Sequence, residues 1–228
     1  MRHIKKRTPP SSLSHHHARL HSTPDLTCDL YANHLTTEVR QNIVDACLQE
    51  QQGLCAYTGQ PVVNGSGHIE HLIPRSVSCR AEPPRPEQTI DWRNMVVCFP
   101  APGSPCHYGA IRKGDWPSDT EVDDFVSPLD ARCERRFRYN RQGGVAPMNI
   151  NDEPARKTIE RLGLDHPFLN DARRRAIQNV EATLRRRNRG DAERARLLVR
   201  WEDREVFPSP QFSFQLSQVF RREWAGTV

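Results

Sequence analysis

The stretch SGHIEHLIPRS, residues 66–76, sets His68, Glu70 and His71 within four positions and closes on Pro74. Alternation puts His68 and Glu70 on one face of a strand. Neighbours such as Glu70 and His71 point to opposite faces along a regular strand, but the strand end announced by Pro74 lets both side chains converge. An acid beside imidazoles there reads either as a site for metal-assisted cleavage or as a solvated strand end. The rest of the chain decides between them.

The 228 residues can hold one sizeable core, or a small catalytic core with an appended domain. Hydrophobic content is 36%, with 18 prolines, which implies long ordered loops or exposed segments. No apolar run approaches a membrane span, and no apolar core follows the N-terminus as a secretory signal would require. The expected location is the cytoplasm. There, seven cysteines point to metal binding or buried thiols rather than a disulfide framework. The formal net charge of +5 is unevenly spread. Residues 1–20 carry Arg2, Lys5, Lys6, Arg7 and Arg19 with no acid, and residues 171–200 carry ten Arg against four acids. Both segments can neutralise phosphates; solvated helix faces or a tail for an acidic protein are the other readings.

Residues 1–35 read as a basic extended segment, with Pro9-Pro10, serine clusters and no periodicity. A helix follows from Thr36 or Thr37 as N-cap to a stop at Gly53, with Val39, Ile43, Ala46 and Cys47 at helical spacing. Val62-Val63 and His68–Leu72 flank NGSG, a hairpin signal. Residues 73–91 read as a Pro-rich loop, and DWRNMVVCFP as a short strand or loop that returns Asn94. A short helix is expected around Cys106 to Lys113. Phe137 and Tyr139 alternate with arginines before Gly143-Gly144, a second hairpin. Beyond residue 152 the pattern is helical: one helix from Asp152 to Gly163, one with Asn170 as N-cap and an apolar stripe of Ile177, Val180 and Leu184, one over GDAERARLLVRWED, and one with Ser209 as N-cap and Pro210 at its first position. Trp92, Phe137 and Tyr139 are expected in the core, His15 to His17 in solvent, His68 as a solvated or structural neighbour, and Cys28, Cys79 and Cys133 as buried thiols or bystanders.

A metal-dependent nuclease must deprotonate a water and stabilise charge on the phosphate and on the leaving oxygen. His71 suits the base and Glu70 offers a hard oxygen to Mg²⁺ or a similar divalent cation. The segments IEHLIPRS, DWRNMVVC and CHYGAIRKGD together resemble the HNH endonuclease signature, with 22 residues between His71 and Asn94. The resemblance implies an α+β fold: a ββα-metal finger core over 36–115 with an N-terminal helix, and a hairpin with a helical, Arg-rich region over 116–228. It implies Glu70 and His107 as metal ligands, His71 as base, Asn94 as a brace and Lys113 near the scissile phosphate. One departure is that five residues separate His107 from Lys113, where the family has one or two. Either the helix is irregular or the second ligand lies elsewhere. Many relatives of this type carry two CxxC knuckles. Here Cys55, Cys98 and Cys106 stand at such positions with Thr58 in the fourth, so a structural Zn²⁺ completed by Cys79 or His107, and a knuckle held by packing, are both open.

LQEQQGLCAYTG, SPLDARCERRFRYNRQGGVAP and ARKTIERLGLDHPFLNDARRRAI further resemble the HNH nuclease subunits (PtuB-like) of Septu and retron antiviral defence systems, across most of residues 1–180. That resemblance implies an ABC-type ATPase partner (PtuA-like) and, in retrons, a reverse transcriptase with its non-coding RNA. The expected function is hydrolysis of phosphodiester bonds in DNA, with Arg75, Arg174, Arg175, Arg185 and Arg186 as candidates for holding nucleic acid. The alternatives are RNA cleavage, tRNA included, at the same site, and a catalytically decayed nucleic-acid-binding or assembly subunit of an ATPase complex.

Overall fold

A computed structural model describes residues 1–20, 27–28, 30–63, 65–186, 190–203 and 207–224. The fold is α+β, with two small antiparallel sheets among many helices. No helix among the described residues is long and apolar enough to cross a membrane.

The central element is β2 (Met95–Cys98), four consecutive buried residues. Alternation sends Val96 and Cys98 into one core and Met95 and Val97 into another. The second core is closed by α2 (Thr37–Glu50), which buries Val39, Ile43 and Cys47 on one stripe. Thr36 caps α2 as expected, its hydroxyl accepting from the Val39 amide at 3.3 Å. On one edge β2 pairs with β1 (His68–His71), matching His68 with Cys98 and Glu70 with Val96. On the other, the Gln51 side chain substitutes for a strand: its amide donates to the Val97 carbonyl at 2.7 Å, and its oxygen accepts from the Val97 N–H at 2.8 Å.

The partner of β1 is therefore β2 and not Val62-Val63, which the NGSG signal suggested; Asn64 of that signal lies outside the described residues. Other local expectations also change. Residues 1–35 are not simply extended, since α1 (Ser11–Leu20) and a π-helical turn (Leu30–His34) form there, and Leu13 and Leu30 enter the second core. His16 is buried. The loop 73–91 contains α3 (Arg75–Arg80) and a 3-10 turn at Pro86–Thr89. Apolar burial by a neighbouring layer, which no local pattern reports, supplies the stabilisation in each case.

The short helix α4 (Ala110–Lys113) is bounded by Gly109 and Gly114, both at positive φ. The second hairpin forms as read, β3 (Phe137–Tyr139) with β4 (Val145–Pro147). Helix α5 (Glu153–Leu162) has Asp152 as N-cap and Gly163 in the left-handed region after its end. Helix α6 (Pro167–Arg186) begins before Asn170, and α7 (Asp191–Glu202) follows. Helix α8 (Ser213–Glu223) starts later than Ser209, whose hydroxyl instead donates to that of Ser213 at 2.9 Å. The first core runs through both halves of the chain, joining Tyr57, Leu72 and Val96 to Phe125, Phe137, Leu162 and Phe220. Trp92, Phe137 and Tyr139 are core residues, as expected.

Candidate active site

Three side chains meet on the β1 face shared with Val96 and Cys98. Glu70 lies with one carboxylate oxygen 2.8 Å from the Lys113 ammonium and the other 3.8 Å from Nε2 of His68. Lys113 is buried and also donates to the His71 carbonyl at 2.9 Å, so α4 is tied to the last residue of β1. Burial pushes the Glu70 carboxyl up, but the His68 hydrogen bond and the Lys113 charge outweigh it and keep the group below its ordinary range. His68 donates from Nδ1 to the Pro100 carbonyl at 2.7 Å, which leaves Nε2 aimed at Glu70. Burial disfavours a charge on His68, but Glu70 outweighs that and raises its pKa. The fully buried Tyr57 lies in the same cluster. Burial first, and then Glu70, Cys98 and Cys55, push its hydroxyl pKa well up.

His71 pairs with Met95 and so belongs to the opposite face. Among the described residues no hydrogen bond or ion pair joins its ring to the Glu70 carboxylate, although the Glu70 charge still acts on it; the two side chains lie on opposite faces of the strand. The ring is buried and its Nε2 lies 2.8 Å from the Thr89 carbonyl. A carbonyl only accepts, so Nε2 carries the proton. Desolvation lowers the pKa to about 4, which keeps the ring neutral and makes Nδ1 its acceptor. Asn94 spends its whole amide on the adjoining backbone: Oδ1 accepts from Ile73 N at 2.7 Å, and Nδ2 donates to the Ile73 and Gln88 carbonyls, each at 3.0 Å. It thereby fixes both the chain after β1 and the turn that offers Thr89 to His71. Tyr31 packs edge-on against His71, with ring centroids 4.8 Å apart.

His107 does not join this cluster. Its side chain is exposed and its ring packs against His166, 6.2 Å between centroids. The nitrogen beside Glu70 comes instead from His68, which the strand alternation had placed on that face. Tyr31 gave no comparable signal, because its segment carries no motif, and Tyr57, although between the knuckle positions Cys55 and Thr58, was not singled out.

Among the described residues, no three His, Cys, Asp or Glu side chains group as metal ligands. Glu70 and His68 alone still suit a hard divalent ion that keeps most of its waters. The thiols fit zinc less well. Cys55 and Cys98 hydrogen-bond to each other, while Cys106 donates to the Tyr108 carbonyl at 3.3 Å. Burial would raise the Cys55 thiol, but hydrogen bonds from Cys98, the Phe99 backbone and Thr58 bring it down to about 6. Thr58 thus supplies a proton donor where a fourth sulfur would be needed. Cys79 is withdrawn from the thiol set altogether, because it forms a disulfide with Cys28. Neither is a bystander thiol.

Of the arginines, Arg75 is exposed with its guanidinium 4.4 Å from the Tyr31 ring centre. Arg174 and Arg175 both pair with Asp171, and Arg185 with Glu181 at 3.5 Å; the Arg186 side chain lies outside the described residues. No protein-family model matches the chain, and no curated protein matches it.

Proposed function

We propose that the chain is a divalent-metal-dependent endonuclease of the HNH type, with β1, β2 and α4 as its ββα finger. The observation that carries the reading is the locked His71 tautomer. A neutral imidazole with Nε2–H held on a carbonyl has Nδ1 as its only proton acceptor, the unprotonated form a general base must have at neutral pH, although burial makes the ring a weak base while it stays covered. Glu70, kept ionised, and His68 would hold the cation. When bound, the cation would neutralise charge on the phosphate and on the leaving oxygen. His71, on the other face of β1 in this conformation, would take the proton of the attacking water at Nδ1 beyond the strand end while Thr89 holds the other nitrogen. Asn94 keeps that carbonyl in place, and Lys113 keeps Glu70 charged. DNA is the proposed substrate and an ATP-hydrolysing subunit the proposed partner, the latter from the resemblance in LQEQQGLCAYTG, SPLDARCERRFRYNRQGGVAP and ARKTIERLGLDHPFLNDARRRAI.

The second reading, a decayed finger that serves assembly or binding, is favoured by the Lys113 ammonium on the Glu70 oxygen a cation would share. Cleavage of plasmid DNA and of total RNA by the protein co-expressed with its ATPase, with Mg²⁺ or Mn²⁺ and with chelator, separates the two. Under the nuclease reading, His71→Ala retains the circular dichroism spectrum and lowers the cleavage rate by about 10²–10⁴-fold. Cleavage by His71→Ala at the parent rate rules out His71 as base. No cleavage by the parent, together with no Mn²⁺ binding that Glu70→Gln abolishes, leaves the decayed reading.

A further inference from the structure

The segment before α2 lies over the His71 face of β1. Leu30 and Leu35 are buried in the second core, and Tyr31 between them covers the His71 ring at 4.8 Å and 83°. Two guanidiniums flank the Tyr31 ring, Arg75 at 4.4 Å and Arg40 at 5.0 Å from its centre. Arg40 also donates to the carbonyls of Tyr31 and Ala32, at 2.8 and 2.7 Å. Three residues before Tyr31, Cys28 is bonded to Cys79 on α3, the helix that starts with Arg75 just after β1. One covalent bond therefore ties the cover to the element next to the ring it covers. His71 is left 6% exposed.

We propose that the Cys28–Cys79 disulfide is a redox latch that holds Tyr31 over His71, and that a dithiol reductant releases it. The step balances as thiol–disulfide exchange. The Cys28–Cys79 bond breaks, the dithiol supplies two electrons and two protons, two cysteine thiols form, and the reductant's own sulfurs join in a disulfide. The bond is the covalent tie between the segment before α2 and α3, so its loss removes that constraint from the chain that carries Tyr31. Without the bond, the ring is held by individually weak cation–π contacts, the Arg40 hydrogen bonds and the burial of Leu30 and Leu35, none of which is covalent. A disulfide in a reducing compartment is usually transient or sensing. The latch rests on the nuclease reading only in its consequence, since a covered base cannot serve a substrate.

The test reads His71 directly in the full-length protein. The oxidised protein, the same protein in dithiothreitol, C28S/C79S and Y31A are treated with diethyl pyrocarbonate, and carbethoxylation of each histidine is followed by peptide mass spectrometry. Circular dichroism checks that each species is folded, and exposed His15 serves as internal control. His71 is expected to react about tenfold or more faster in the reduced and C28S/C79S proteins, and fast in Y31A in both redox states. An unchanged His71 rate on reduction of the folded protein, or no Cys28–Cys79 cross-linked peptide in the oxidised sample, overturns the latch. The two readings fail separately. If His71 opens on reduction but neither state cleaves nucleic acid, the nuclease assignment falls and the latch stands. If both states cleave equally and His71 exposure is the same, the latch falls alone.

Discussion

Replacing Lys113 by methionine removes the ammonium from a site where the Lys113 side chain is 1% exposed and that of Glu70 15%. Two interactions go together: the 2.8 Å ion pair to Glu70 and the 2.9 Å hydrogen bond to the His71 carbonyl. Removing one partner of a buried pair costs about 3–5 kcal/mol, mostly because the remaining charge is left stranded. Glu70 is not fully stranded, because His68 stays 3.8 Å from its other oxygen. That partial rescue lowers the expected loss to about 2–4 kcal/mol for Lys113→Met. In a chain of this size each kcal/mol moves the melting midpoint by about 2–4 °C, so a fall of about 4–16 °C is expected. Urea unfolding of the parent, Lys113→Met, Glu70→Gln and the double variant gives the coupling directly. The double variant should be less destabilised than the sum of the singles by about 1–3 kcal/mol. Additive effects within about 0.5 kcal/mol, or a Lys113→Met protein as stable as the parent, would refute the claim that α4 is pinned to β1 through this pair.

Other consequences are open to simpler measurements. Asp152 caps α5 by accepting from Ala155 N at 3.1 Å, and the Arg136 guanidinium holds its carboxyl below the ordinary aspartate value of 3.8. Because the folded pKa is depressed, this stabilisation is fully present above pH 3.8 and is lost as pH falls through the lower folded value. Asp152→Ala should cost about 1–2 kcal/mol at neutral pH and flatten the acid limb of a stability–pH curve; an unchanged acid limb refutes the assignment. A Cβ at Gly143 (φ +84) would lie 1.9 Å from the Asn170 carbonyl oxygen, whereas one at Gly114 (φ +55) meets nothing within 4 Å. Thermal melts should therefore show Gly114→Ala losing about 1–2 kcal/mol for backbone strain alone and Gly143→Ala clearly more. Cys47 is fully buried and desolvation pushes its thiol up to about 11, whereas Cys106 is part-exposed. Brief iodoacetamide treatment of the native protein should mark Cys106 and leave Cys47 untouched; early labelling of Cys47 contradicts its burial.

The sequence by itself determined the features whose causes are local. Thr36 announces α2, Asp152 and Gly163 bound α5, and Gly143-Gly144 turns the second hairpin, because caps and positive-φ glycines act within a few residues. Alternation also put His68 beside Glu70, although nothing local showed that His68 would replace His107 there. The tertiary structure decided what depends on distant neighbours. The partner of β1 was chosen by the two cores that β2 separates, not by the nearer NGSG turn. The thiols of Cys28 and Cys79, 51 residues apart, meet only because α3 and the segment before α2 fold against the same face. Tyr31 covers His71 for the same reason. Burial and charge pairing are sums over neighbours from all parts of the chain, so a linear pattern can name the chemistry of a residue but not the company it keeps.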